Sequence, residues 1–237
     1  MSEIPAFQVL EPLLTSTVDV EHEGTSMRFL VSNPFDLIQR HHAEGKVYEA
    51  EELALIAEHF ERGQTFVDVG ANVGNHSVVA ACHLGAAQVI AFEPGLTAHT
   101  VLVVNRALNG LSRLEIRKLA LSDQPGETLL VTPQPHNLGG SHLAEEGFGQ
   151  RVETARGDDL LKDRAVDFIK MDVEGHEMKV LDGLSQTVAS RRPKLFIEVD
   201  DTNRPAFDIW CAANGYDAAA TFRRYSTSEN VLATPSD

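Results

Sequence analysis

The chain is poor in three features that would identify its class directly: cysteines, long apolar runs and basic residues. Its 237 residues include two cysteines, Cys82 and Cys211. Two cysteines exclude both a disulfide framework and a cysteine-based zinc site. No apolar run approaches the roughly 18 residues that a membrane-spanning helix requires. The first residues lack the basic and apolar segments of a secretory signal, so we expect a cytoplasmic protein with reduced thiols.

Basic residues are also scarce. The 20 Lys and Arg stand against 35 Asp and Glu, which gives a formal net charge of −15. Binding to nucleic acid or to an anionic membrane depends on clustered Lys and Arg, so we expect neither partner. At about 150 residues per domain, the length allows one large domain or two small ones.

Apolar strands alternate with helical segments along most of the chain. Strands are predicted over 27–31, 65–69, 88–93, 114–121, 128–131, 151–154, 165–171, 195–199, 216–222 and 230–234. Helices are predicted over 48–60, 75–84, 96–108, 175–189 and 205–214, and a Pro/Gly/His loop over 133–149. Continuous apolar strands of this kind indicate a parallel sheet covered on both faces. Ligands of such sheets bind beyond the carboxyl ends of the strands, so the residues that follow each strand carry the functional information.

The first central strand runs into a loop with two glycines, Gly70 and Gly74, after Asp68. Glycines allow a sharp turn and a close approach of the backbone to a ligand, and the N-terminus of the next helix suits an anion. The loop lacks the third glycine of the dinucleotide fingerprint and the Lys-Ser/Thr pair of a P-loop. A turn needed only for packing is the alternative.

The next two strands also end in polar residues. Glu93 follows Asp68 by 25 positions, near the spacing at which an acidic residue binds a ribose diol. Ser122 and Asp123 end the third strand, where they suit either an adenine ring or ordinary turn chemistry.

The fourth strand carries the densest group of titratable residues. Five of them, Lys170, Asp172, Glu174, His176 and Glu177, fall within eight positions. Capping of the next helix explains the two glutamates, because acidic groups are favourable at a helix start. It explains Asp172 and His176 less well.

Taken in order, these motifs resemble the FkbM family of S-adenosylmethionine-dependent methyltransferases. The segments that carry the resemblance are FVDVGANVG (66–74), FEP (92–94), ALSD (120–123), DFIKMDVEGHE (167–177) and LFIEV (195–199). The family implies an α/β, Rossmann-like class I methyltransferase fold. Its sheet has seven mostly parallel strands with an antiparallel last strand, and helices cover both faces.

The resemblance also implies a domain arrangement and an activity. We expect residues 1–47 to form an N-terminal extension whose short strands pack on the core. Residues 48–237 would form the S-adenosylmethionine-binding domain, in one globular unit overall. The implied reaction is O-methylation of a hydroxyl on a small molecule, a sugar or a natural-product scaffold. A homo-oligomer is an open possibility.

Site residues follow from the same resemblance. The residues implied to bind the cofactor are Asp68, Gly70, Ala71, Asn72, Gly74, Asn75, Glu93, Pro94, Ser122, Asp123 and Asp172. The chemistry of methyl transfer adds a separate hypothesis, in which Asp172, Glu174 and His176 are the expected catalytic residues. Loss of the acceptor proton calls for a base, for which His176 or Asp172 is the candidate, with Glu174 positioning the acceptor. Packing of His176 at a helix start is the alternative.

Three further alternatives stay open from the sequence. A divalent metal has possible oxygen ligands in Asp172, Glu198, Asp200 and Asp201, although we expect no metal. The remaining helix and surface histidines show no metal-ligand spacing; they are His22, His41, His42, His59, His83 and His99. A nicotinamide-dependent oxidoreductase on the same type of sheet is the second alternative, and a non-catalytic cofactor-binding module is the third.

Overall fold

A computed structural model of the chain describes residues 15–132 and 137–236. The strands are β1 (Ser16–His22), β2 (Thr25–Val31), β3 (Thr65–Val69), β4 (Gln88–Phe92), β5 (Leu114–Arg117), β6 (Ala120–Leu121), β7 (Gly126–Val131), β8 (His142–Ala144), β9 (Gln150–Ala155), β10 (Phe168–Met171), β11 (Lys194–Asp200), β12 (Tyr216–Phe222) and β13 (Ser228–Pro235). The helices are α1 (Leu37–Ala43), α2 (Ala50–His59), α3 (Asn75–Cys82), α4 (Leu96–Leu108), α5 (Gly157–Leu161), α6 (Glu177–Gly183), α7 (Ser185–Arg191) and α8 (Arg204–Asn214).

A seven-stranded sheet organises the fold, in the order β12-β13-β11-β10-β3-β4-β5. The strands from β11 to β5 pair in parallel, whereas β13 is antiparallel to both of its neighbours. This confirms the predicted Rossmann-like class I sheet with an antiparallel last strand. Parallel neighbours bring the carboxyl ends of β3, β4, β10 and β11 to one edge of the sheet, where ligands bind in such folds.

Both faces of the sheet are buried, as predicted. All five residues of β3 are buried, because successive side chains enter opposite layers. Phe66 joins a core with α2, α3 and α4, in which its ring stacks on Phe168 at 5.5 Å between centroids. Val67 joins the opposite core with α5, α6, α7 and α8. Two cores on one sheet explain why its strands are apolar along their whole length.

The N-terminal part of the described chain forms a β1–β2 hairpin and α1. Phe29 of β2 is fully buried in the core shared with α3 and α4. The backbone N–H of Leu30 donates to Asn105 Oδ1 of α4 at 2.7 Å. The hairpin thus packs on the core, while the domain boundary at residue 47 stays a prediction.

Several predicted elements need correction. The strand predicted over 114–121 is two strands, because the chain leaves the main sheet after Arg117 and β6 joins a four-stranded sheet in the order β6-β9-β7-β8. The helix predicted over 175–189 is divided at Leu184 into α6 and α7. Strand β8 lies within the predicted loop, of which residues 133–136 fall outside the described residues. Helices α1 and α5 were not predicted.

Candidate active site

The loop after β3 packs closely against the ends of two neighbouring strands, β4 and β10. The N–H groups of Gly70 and Ala71 both donate to the carbonyl of Phe92, at 3.0 Å. Gly70 has a φ of +78°, and a Cβ there would lie 1.8 Å from the carbonyl oxygen of Asp172. Both the conformation and the close approach therefore require glycine.

Three residues of the same motif support the loop from behind. A Cβ on Gly74 would lie 2.3 Å from Leu102 Cδ1, so this glycine serves helix packing. Asp68 is fully buried and accepts a 2.6 Å hydrogen bond from Ser77 Oγ. Asn75 contacts the segment before α2: its Oδ1 accepts from the N–H of Tyr48 at 3.0 Å and its Nδ2 donates to the Tyr48 carbonyl at 2.9 Å.

Glu93 at the end of β4 is buried rather than solvated. Its Oε2 accepts from the N–H of Asn72 at 2.8 Å, and its Oε1 accepts from the N–H of Gly95 at 2.7 Å. Burial raises the pKa of this carboxyl to about 7, although both hydrogen bonds act in the opposite direction. Glu93 therefore fixes the glycine loop to β4 and keeps lone pairs for a further donor.

A buried lysine lies among the carboxylates. Lys170 Nζ is 3.5 Å from Asp172 Oδ2 and 3.9 Å from Asp68 Oδ1. Burial alone would lower the pKa of Lys170, but the negative charges of Asp172, Asp68, Glu49 and Glu198 together raise it. Lys170 therefore stays cationic and offsets part of the local negative charge.

The segment after β10 turns sharply before α6. Glu174 has a φ of +50°. Glu177 accepts from the N–H of Gly175 at 2.7 Å and from Asn203 Nδ2 at 2.6 Å, so it caps the turn. His176 Nε2 lies 3.0 Å from Ser122 Oγ. Burial followed by the charge of Lys179 lowers the pKa of His176.

A cavity of about 330 Å³ opens at this edge; we call it the larger cavity. Its described lining contains six carboxylic side chains: Glu49, Asp172, Glu174, Glu177, Glu198 and Asp200. Among the lining residues that the structure describes, Lys170 carries the one Lys or Arg charge. Burial lowers the pKa of His76 well below its usual range, so this imidazole, 3.7 Å from Glu49 Oε2, is neutral.

Several residues of the larger cavity were missed by sequence reasoning. Tyr48 and Tyr225 are hydrogen bonded through their hydroxyls although 177 positions separate them. Burial, followed by the charge of Asp172, raises the pKa of Glu49 to about 8 and that of Glu198 to about 7. Two of these residues gave a signal in the sequence: Lys170 is a charged residue inside a buried strand, and Glu198 was considered as a metal ligand.

A smaller cavity adjoins the larger one and has a different character. Its apolar lining residues are Val69, Phe92, Pro94, Leu119, Ala120, Leu121, Leu130, Leu138, Leu143 and Val173. Glu93 and His176 add polar groups. The two cavities share five lining residues: Gly70, Asn72, Gly139, Asp172 and Glu174. A molecule in one cavity therefore meets a molecule in the other beside Asp172.

The structure brings most of the predicted site residues to these cavities. Those that line one or both are Gly70, Ala71, Asn72, Asn75, Glu93, Pro94, Asp172, Glu174 and His176. Four predicted cofactor-binding residues lie outside the lining: Asp68, Gly74, Ser122 and Asp123. Ser122 contacts the site through His176. The ligand roles of all these residues stay predictions.

The alternative of a metal at the strand ends is not supported. Asp201 pairs with Arg223, at 2.8 Å, and Asp200 Oδ1 accepts from Thr202. Within residues 15–132 and 137–236, the one group of three potential ligands close enough for an ion is His22, Glu23 and His83. It lies elsewhere in the fold, where His22 and His83, whose sequence spacing indicates no metal site, come close to Glu23.

Comparison with known proteins agrees with the fold and the motifs. Residues 68–223 match the family described as the Methyltransferase FkbM domain. The chain belongs to this family. It is 27% identical over 180 residues to the hexuronic acid methyltransferase AglP of Haloferax volcanii, covering 75% of this chain and 72% of the relative. It is 30% identical over 155 residues to methyltransferase sdnD of Sordaria araneosa, covering 51% and 60%.

A solved structure of the family has the same fold. The crystal structure of methyltransferase FkbM from Methylobacillus flagellatus KT matches with a TM-score of 0.55 and 21% identity. The match covers 73% of this chain and 44% of that chain. The family assignment confirms the resemblance seen in the motifs and decides against the nicotinamide oxidoreductase. None of the helices in the described part of the chain has the length and apolar character of a membrane span.

Proposed function

We propose that this FkbM-family chain transfers a methyl group from S-adenosylmethionine to a hydroxyl of a small, hydroxyl-rich acceptor. The observation that carries the proposal is the pair of cavities that meet at Asp172. One has many apolar side chains and a buried acid, Glu93, which suits an adenosine. The other is lined by carboxylic groups, which suit hydroxyls. A methyl transfer needs two ligands of this kind in contact.

The residues present fit the proposed cofactor. Asn72 Oδ1 is buried and accepts no hydrogen bond from the described residues, so it is free for an ammonium or hydroxyl donor. Glu93 offers a carboxyl at the position where an acidic residue suits a ribose. The described lining of the smaller cavity has no Lys or Arg, which disfavours a phosphate-bearing dinucleotide. S-adenosylmethionine would supply an electrophilic methyl on a cationic sulfur, which suits the acidic surroundings.

The side chains where the two cavities meet have different proposed roles. Asp172 touches both cavities, with 27% of its side chain exposed, and we assign it the proton of the acceptor hydroxyl. Lys170 Nζ, 3.5 Å from Asp172 Oδ2, holds the orientation of this side chain. Glu174 lies beside it and orients the acceptor. His176 lines the smaller cavity and contacts Ser122 behind it, which supports a role toward the nucleoside rather than as the base.

The charge of the larger cavity narrows the acceptor class. Six carboxylic groups against one lysine disfavour an anionic acceptor. Hydroxyl groups can donate to carboxylates and accept from the protonated carboxyl groups that raised pKa values favour. We therefore expect an uncharged, sugar-like acceptor, although the Haloferax relative is named for a hexuronic acid.

The test is turnover with S-adenosylmethionine and a panel of neutral sugars, polyols and uronic acids, read as a mass increase of one methylene unit. We expect methylation of a neutral member and slower turnover of its uronic acid counterpart. Faster turnover of the uronic acid would contradict the acceptor class. Binding of S-adenosylhomocysteine without methylation of any hydroxylated compound would favour a different acceptor group.

A further inference from the structure

A second polar cluster lies at the opposite end of α3 from the two cavities. Strand β1 ends at His22, Glu23 follows in the hairpin turn, and His83 comes directly after α3. His83 Nε2 is 3.2 Å from Glu23 Oε2. One potential ligand atom of each residue lies within 4.8 Å of those of the other two. None of these three residues lines either cavity.

The spacing is suitable for a metal ion. Two ligand atoms bound at about 2.0 Å in a tetrahedral arrangement are about 3.3 Å apart. The separation between His83 Nε2 and Glu23 Oε2 is close to this value. The His22 and His83 rings meet edge to face, with centroids 5.1 Å apart, so small rotations bring both imidazoles to one point.

The surroundings hold one imidazole in the form that binds a metal. Thr25 Oγ1 lies 3.0 Å from His83 Nδ1. When Nδ1–H donates to this hydroxyl, the lone pair of Nε2 points toward Glu23, which is the arrangement that metal-ligating histidines use.

We propose that His22, Glu23 and His83 bind one divalent transition-metal ion of the zinc class. Two imidazoles and one carboxylate select zinc, cobalt, nickel or copper over magnesium and calcium, which prefer oxygen ligands. Water completes the coordination. The ion joins the β1–β2 hairpin to the end of α3. The eight residues of α3 separate it from the active site by about 12 Å, so the ion has no contact with the methyl-transfer site.

The test is calorimetric titration of zinc chloride into tag-free, full-length protein that has been treated with EDTA and dialysed. We expect one ion per chain, and no comparable binding of magnesium. His22→Ala, His83→Ala and Glu23→Gln should each weaken binding at least 10-fold, and Thr25→Val about 10–100-fold, as for other partners behind a metal ligand. His99→Ala removes a partly exposed imidazole outside the cluster and should leave binding unchanged.

A second measurement separates binding at the cluster from binding elsewhere. Zinc should raise the thermal midpoint of the wild type but not that of folded His83→Ala, with folding checked by circular dichroism. Absence of saturable zinc binding, or equal binding by all the variants, would overturn the proposal and leave only a contact between His83 and Glu23. Binding of S-adenosylhomocysteine should not change with zinc, so this result stands apart from the methyltransferase proposal.

Discussion

The two ends of α3 differ in how their polar groups are assembled. At the start of the helix, side chains from four strands and the segment before α2 meet over long sequence separations, and several of them, such as Asp68, Glu93 and Lys170, are buried. At its end, a hairpin turn and one helix-terminal residue form a small, partly exposed cluster. The comparison shows that strand pairing throughout the sheet brings the active-site residues together. The cluster at the opposite edge instead consists of a few side chains near one hairpin turn.

The strongest test of the active edge is Asp172→Asn. Asparagine keeps the shape of the side chain but cannot take a proton, so we expect kcat to fall by about 10²- to 10⁴-fold. Binding of S-adenosylhomocysteine should change little. Asp208→Asn, which alters a surface pair with Arg204, is the control and should keep normal turnover. Normal turnover of Asp172→Asn would remove Asp172 as the base.

A backbone test follows from the fit of the glycine loop. Gly70→Ala should destabilise the fold by about 2–4 kcal/mol, because its Cβ meets the Asp172 carbonyl and its φ is positive. Gly63 also has a positive φ, of +93°, but has nothing within 4 Å, so Gly63→Ala isolates the conformational cost of about 1–2 kcal/mol. Chemical denaturation measures both. Equal losses would show that close packing at Gly70 is unimportant.

The smallest expected effect concerns pH. Burial raises the pKa of Glu198 to about 7 and that of Glu49 to about 8, above the usual 4.5. The folded state thus keeps protons that the unfolded chain releases, so this contribution to stability is fully present below pH 4.5. It is lost as the pH rises from 4.5 through the folded pKa values of about 7 and 8. Without ligand, the thermal midpoint should therefore fall between pH 4.5 and pH 8.

Glu198→Gln should flatten the fall in the thermal midpoint, because glutamine has no proton to release. Glu58→Gln, on α2 and outside both cavities, should not flatten it. Identical profiles for the wild type and Glu198→Gln would contradict the assignment of the raised pKa to this carboxyl.

The sequence predicted the elements whose signals are local. Helix α4 has the predicted limits, because Gly95 and Asn109 interrupt the helical pattern at both ends. Helix α1 was missed although Asp36 caps it and Gln39 follows three positions later, a pattern typical of a helix start. The break between β5 and β6 was not predictable, because pairing with β9 rather than any local residue type decides it.

The residues of the candidate site also divide into those with a local sequence signal and those that only the fold brings together. The loop glycine Gly70 and the acids Glu93 and Asp172 follow strands, and the fold brings such residues together. Tyr48 precedes α2 and Tyr225 lies between β12 and β13, so only the folded arrangement brings them together. His22 and His83 are likewise distant in sequence, so histidine spacing gave no indication of their contact.

The central claim is that the two cavities have separate ligands, and calorimetric titration of S-adenosylhomocysteine tests it most directly. Glu93→Gln places an amide N–H₂ against a backbone N–H and removes an acceptor for the ribose, so we predict binding about 10-fold weaker than in the wild type. Glu198→Gln, in the larger cavity, should bind as the wild type does. Failure of the wild type to bind, or a loss on Glu198→Gln that is absent in Glu93→Gln, would contradict the account.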